Sequence, residues 1–160
     1  MNTEVQPATP DAPARSTVEA GVVILVIVGL LGLATLGLAS AGAAGPVSAL
    51  VAPLGFAVLA AGVMIALPAH PHPRFGLANT LTTLRAGLAA LLGTLIVEAE
   101  VLAQSTALTW LATGVAALAL ALDALDGPVA RRTGQTSLFG ARFDMEIDAL
   151  LIALLAGLLV

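Results

Sequence analysis

The chain has 160 residues, 59% of them hydrophobic and only 10% charged, with a net charge of −4. An ordinary soluble domain carries about a quarter charged residues, so that class is excluded, as is disorder over most of the length. Cysteine and lysine are absent: disulfides and thiolate chemistry are excluded, all basic charge is arginine, and no electrostatic case for nucleic acid remains.

What remains is an integral membrane protein, an all-α polytopic transmembrane helix bundle of about five crossings. Residues 1–17 mix proline, small polar residues and both signs of charge, and read as a disordered N-terminal tail. Residues 18–68 hold two uncharged runs, roughly 20–44 and 47–67. Each is long enough to span a bilayer, which takes about 20 residues, and "GAAGPVS" between them is a turn. "PAHPHPRFG" (residues 68–76) cannot continue a helix. His70 and His72 have His-x-His chelate spacing, but a proline on each side of His72 favours a solvated connector.

A third segment runs from about Asn79 to Leu102. Its apolar middle, residues 86–97, is bounded by Arg85 and by Glu98 and Glu100, and it crosses if those charges reach the interfaces. A fourth runs from about Thr106 to Leu125, with Trp110 placed as an interfacial anchor. The fifth runs from near Phe143 to Val160. With five alternating crossings all six arginines fall on one side, which the positive-inside rule makes cytoplasmic.

Four aspartates lie around the junction of segments four and five. Asp123 and Asp126 are three apart and share a helix face; Asp144 and Asp148 are four apart and share another, with Glu146 turned aside. The pairs converge if residues 127–143 fold the segments into an antiparallel pair. Asp123 and Asp126 then stand at a helix C-terminus, where the dipole disfavours negative charge. Protonation, arginine pairing or bound cations must relieve the repulsion. Carboxylate oxygens without His or Cys suit Mg²⁺ or Mn²⁺, and two such ions balance four carboxylates and clamp a phosphate. The competing reading is an aspartate–arginine network that seals two helix ends. Gly127, Ala130 and Gly140 leave room for a ligand, and Arg131 is a ready phosphate partner.

The pattern Asp123-x-x-Asp126-Gly127-x-x-Ala130-Arg131, then eight residues, then Gly140-x-x-x-Asp144-x-x-x-Asp148 resembles the signature of the CDP-alcohol phosphotransferases, also called CDP-alcohol phosphatidyltransferases. "NTLTTLR" (residues 79–85) is similar to the opening of that family's first core helix. The resemblance implies a membrane phosphotransferase of phospholipid biosynthesis. Such an enzyme transfers a phosphoalcohol group, commonly phosphatidyl from CDP-diacylglycerol, to an acceptor alcohol and releases CMP. It implies that Asp123, Asp126, Asp144 and Asp148 hold two divalent metal ions, Mg²⁺ or Mn²⁺, and that Asp148 is also the catalytic base. It further implies that Gly127, Ala130 and Gly140 line the nucleotide pocket, that Arg131 contacts phosphate, and that Asn79 and Thr82 reach the nucleotide.

The implied partners are a CDP-alcohol donor, a small alcohol acceptor and membrane lipid, with a homodimer as a further candidate. The implied location is the cell (inner) membrane, with the site facing the cytoplasm. The family core has six helices, so residues 76–160 stand as its first three and the core as truncated after the third. The alternative function is therefore a catalytically inactive truncated membrane module, or one part of a split enzyme. A transporter built on intramembrane carboxylates ranks last, because no charge is expected in the middle of a span.

Overall fold

The computed structural model describes residues 12–157. The long helices are α1 (Ala12–Ser40), α2 (Val51–Ala66), α3 (Leu77–Val97), α5 (Thr106–Thr133) and α6 (Leu138–Gly157), with a short α4 (Ala99–Gln104) after α3. Single 3-10 turns flank α2 at Ser48–Leu50 and Leu67–Ala69. No strand occurs among the described residues, and the molecule is an all-α polytopic bundle.

Contacts at the helix ends define the threading. The Glu98 carboxylate accepts from the Gly45 backbone N–H at 2.8 Å and from the Ser48 hydroxyl. The α1–α2 turn and the α3–α4 junction therefore share one end. At the other end, the Phe75 N–H donates to Glu19 Oε2 at 3.0 Å, and His72 Nε2 bonds the Thr136 carbonyl at 3.0 Å. The start of α1, the 70–76 connector and the α5–α6 turn meet there, so successive long helices alternate in direction.

Four stretches are long and apolar enough to cross a membrane: Arg15–Ser40, Ser48–Ala69, Leu77–Val97 and Thr106–Thr133. The fifth expected crossing differs. Helix α6 has 20 residues, about 30 Å at 1.5 Å per residue, but its first three turns carry Arg142, Asp144, Glu146 and Asp148. Those turns serve the site, and the described apolar continuation of α6 is residues 149–157.

Packing is inverted relative to a soluble protein. Leu25, Leu33, Val58 and Ile65 are largely exposed on α1 and α2, whereas Arg85, Thr83, Thr94 and Asn79 are buried. A polar group buried in an apolar medium needs a partner. Thr83 Oγ1 donates to the Asn79 carbonyl at 2.7 Å, and Thr94 Oγ1 accepts the Ala52 N–H at 3.1 Å, one of the orphan donors opening α2. Helix α3 is the centre of the bundle and packs against α1, α2, α5 and α6.

Three sequence expectations change. Of the expected tail, residues 1–11 lie outside the described residues, and α1 is already helical from Ala12. Helix α5 continues past Leu125, through Pro128, to Thr133. Proline is tolerated in a membrane helix, and Arg131 and Arg132 in the last turn suit the dipole. Gly134, at φ 65°, then closes the helix: its N–H and that of Gln135 reach the Arg131 and Ala130 carbonyls, a Schellman arrangement. Helix α6 starts at Leu138 rather than near Phe143, with the Ser137 hydroxyl accepting the Gly140 N–H at 2.9 Å as an N-cap. The connection is only residues 134–137; it reverses the chain direction between α5 and α6, and each of them packs on α3.

Candidate metal and nucleotide site

The extension of α5 moves the first aspartate pair. Asp123 and Asp126 lie two to three turns inside the helix, not at its C-terminus, so the dipole argument does not apply to them. They face Asp144 and Asp148 on α6. One carboxylate oxygen each from Asp123, Asp126 and Asp144 lie within 4.8 Å of one another. Asp148 joins them through a shared partner. Glu146 is turned away and pairs with Arg142 at 3.2 Å on an exposed face of α6.

The shared partner is Arg85. Sequence reasoning put it at an interface, bounding an apolar stretch. It lies eight residues into α3, about 12 Å along the helix, with its side chain fully buried. Its Nη1 meets Asp126 Oδ2 at 2.6 Å and Asp144 Oδ1 at 2.5 Å; its Nη2 meets Asp123 Oδ1 at 2.7 Å and also Asp148 Oδ1. Each terminal nitrogen thus takes one aspartate from α5 and one from α6. The sequence signal for this residue was partial: an arginine within a span requires a partner inside the bundle, but nothing in the sequence says which carboxylates supply it. It also removes the premise that no charge lies within a span.

Beside the carboxylates is a cavity of about 190 Å³. Its wall includes Asn79 and Thr82 from α3, Gly127, Ala130 and Arg131 from α5, and Gly140 from α6, with Asp126 and Asp144 bordering it. Asp123 and Asp148 do not line it. Their side chains are 41% and 38% exposed, against 7% for Asp126. The α5–α6 turn completes the wall with Gln135, Thr136 and Ser137, residues the sequence pattern did not single out.

Gly140 is needed for space: a Cβ there would stand 2.9 Å from Asn79 Oδ1 and 3.2 Å from Ser137 Oγ. Both neighbours are fixed. Asn79 Nδ2 donates to the Phe75 carbonyl at 2.6 Å, and Ser137 caps α6. Gly76 is needed for shape, at φ 86° where the 68–76 connector turns into α3 against the Gln135 side chain.

Pro71, Pro73 and Arg74 are exposed, as a solvated connector requires, and His70 departs from it. His70 is buried, and its Nε2 bonds the Arg74 carbonyl at 2.9 Å. That geometry makes Nε2 the protonated nitrogen and leaves Nδ1 to accept from Ser137 Oγ at 3.4 Å. Both ring nitrogens are engaged, so no chelate forms. Burial holds the His70 imidazole below its usual range; the Arg74 carbonyl opposes this and nearby His72 reinforces it.

The profile of the CDP-alcohol phosphatidyltransferase family matches residues 75–160, more than half of the 160-residue chain, and the chain belongs to that family. The match covers α3 to α6 and so contains the four aspartates, Arg85 and the cavity. Comparison with curated proteins and with solved structures found no match. Family membership makes the protein a membrane transferase whose class of reaction is phosphatidyl transfer in lipid synthesis.

Proposed function

We propose that this protein transfers a phosphatidyl group from CDP-diacylglycerol, or a related phosphoalcohol from its CDP ester, to a small alcohol and releases CMP. The observation that carries this reading is the cavity walled by α3, α5 and α6. Two of its bordering residues are aspartates of the carboxylate cluster, and its wall combines small residues with Arg131, an exposed guanidinium suited to a phosphate.

The carboxylate set fits a divalent metal. All donors are hard oxygens, three lie within 4.8 Å, and one arginine against four aspartates leaves a formal charge of −3. We assign Asp123, Asp126, Asp144 and Asp148 as the ligands of two Mg²⁺ or Mn²⁺ ions. Bound there, such ions neutralise diphosphate charge and stabilise the departing phosphate. Gly127, Ala130 and Gly140 admit the nucleotide, Asn79 and Thr82 contact it, and Arg131 holds its phosphates. Asp148 takes the proton of the acceptor hydroxyl as that oxygen bonds to phosphorus and the bond to CMP breaks. Helices α1 and α2 stand outside this core as an added pair, and the charged end of the bundle faces the cytoplasm.

The purified chain in phospholipid nanodiscs tests this. CDP-diacylglycerol offered with glycerol phosphate, inositol phosphate or serine should yield CMP only with divalent metal, and Asp126→Asn should abolish it. One observation favours a second reading, a catalytically inactive membrane module: Arg85 already satisfies one oxygen of every aspartate. Absence of CMP release with every acceptor at saturating Mn²⁺ would establish it.

A further inference from the structure

Arg85 is the largest fully buried side chain among the described residues, and nothing in the proposed chemistry uses it. Its two terminal nitrogens meet aspartate oxygens in the pairs Asp126 with Asp144 and Asp123 with Asp148. Three of those four aspartates form the only metal-competent acidic group found among the described residues. Two further features bear on its role. Its Nε–H is buried with no partner among the described residues, so the guanidinium spends only its terminal nitrogens, and all on carboxylates. Its charge also leaves a deficit of three, so it holds the aspartates together without neutralising them.

We propose that Arg85 is an internal counter-cation that assembles the four-aspartate site in the absence of metal and yields it when divalent ions bind. This rests on the metal reading given above. The physical basis is competition. A guanidinium and a divalent ion both seek the oxygens between α5 and α6, and two cations at adjoining positions in a poorly solvated bundle repel strongly. Without either cation, four carboxylates would face one another unscreened and drive the two helices apart. With Arg85 in place the two aspartate pairs stay together, because one guanidinium holds all four carboxylates. Withdrawal of the guanidinium frees the aspartate oxygens it holds for the incoming ions. Arg85 is thus a positioning residue whose contacts compete with a divalent ion for the aspartate oxygens and hold those ligands together.

The test is Mn²⁺ binding to the purified chain in nanodiscs, read from loss of the free-ion EPR signal, together with thermal unfolding in EDTA and in saturating Mn²⁺. Arg85→Gln should bind Mn²⁺ tighter by about tenfold or more, the scale for removing a close competing charge from a desolvated site. It should be much less stable than the parent in EDTA and close to it in Mn²⁺. Should it fold only in Mn²⁺, purification with the metal throughout supplies the protein, and that requirement itself supports the proposal. Arg85→Lys retains one charge but cannot bridge the two aspartate pairs, and should fall between the parent and Arg85→Gln in Mn²⁺ affinity. Arg85→Gln and Arg85→Lys both binding Mn²⁺ as the parent does, or more weakly, with the same stability loss in EDTA and in Mn²⁺, would overturn it. Asp126→Asn separates the two levels of argument. If neither it nor the parent binds Mn²⁺, the metal reading fails and takes this proposal with it. If the parent binds, Asp126→Asn does not, and Arg85→Gln is unchanged, the metal reading stands and competition is excluded.

Discussion

Gly127 and Gly140 border the same cavity but meet different neighbours. A methyl on Gly140 would press on Asn79 and Ser137, both held by hydrogen bonds, whereas a methyl on Gly127 would meet only the Arg131 guanidinium at 3.3 Å. The tip of a long exposed side chain moves easily; a capping hydroxyl does not. Overpacking against fixed atoms costs about 1–3 kcal/mol. Gly140→Ala should therefore raise KM for CDP-diacylglycerol about tenfold, while Gly127→Ala should change it less than about threefold, as a steady-state CMP assay would show. The aspartates divide in the same way by role. Asp148→Asn should lower turnover by about 10²–10⁴-fold, the usual scale for loss of a general base, and excess Mn²⁺ should not restore it. Asp123→Asn should raise the Mn²⁺ requirement and recover partly at high metal. Recovery of Asp148→Asn by metal alone would leave Asp148 a ligand only.

At the scale of elements, the α5–α6 turn is tied to the connector before α3. The Ser137 hydroxyl accepts from Gly140 and donates to His70 Nδ1, while the His70 Nε2–H is committed to Arg74 and His72 lies 5.4 Å away, ring to ring. A proton added at Nδ1 ends its acceptor role, and burial resists the charge. Because the native value is depressed, the unfolded chain takes up the proton first. The stabilising contribution is complete above the ordinary value of 6.5 and is lost as pH falls through the lower native value. Thermal unfolding followed from about pH 7.5 to 5 should show this decline in the parent and a flatter profile in His70→Gln. On the far side of α3, a Cβ on Gly87 would come within 2.6 Å of Ile27 Cγ2, the close helix approach that small residues permit in membranes. Gly87→Leu should destabilise the bundle by about 1–3 kcal/mol through the α1–α3 contact, leaving Mn²⁺ affinity unchanged.

For the whole molecule, the contacts of Glu98 with the α1–α2 turn and of Glu19 with Phe75 define two opposite ends. Arg15, Arg74, Arg131, Arg132 and Arg142 gather toward one of them, and the positive-inside rule is the basis for the proposal that this end faces the cytoplasm. The chain has no cysteine, so single labels are easily placed. Val47→Cys, at a position 78% exposed, and Thr133→Cys, on the exposed last turn of α5, should react with an impermeant maleimide from opposite faces of the membrane, Thr133→Cys from the cytoplasmic face. Labelling of both from one face would rule out the alternating topology.

Composition alone determined that this chain is a membrane helix bundle, because a run of about 20 uncharged residues has few other uses. The spacing of Asp123, Asp126, Asp144 and Asp148 determined which side chains share a face, since helical periodicity is local. The same four positions, with Gly127, Ala130, Arg131 and Gly140, were enough to place the chain beside its family. Only the tertiary structure decided where the helices end around them. Pro128 and the arginines after it read as a loop, yet the helix continues to a Schellman closure at Gly134, because in an apolar medium the backbone must satisfy its own hydrogen bonds. Only the tertiary structure decided the role of Arg85, too. Its partners lie 38 to 63 residues along the chain, and no local pattern connects an arginine on α3 to carboxylates on α5 and α6. The same holds for His70 and Ser137: the 68–76 connector supports the cavity wall, through the contact of His70 with Ser137, only when two turns meet at one end of a bundle, and that meeting is set by the packing of helices rather than by the residues within either turn.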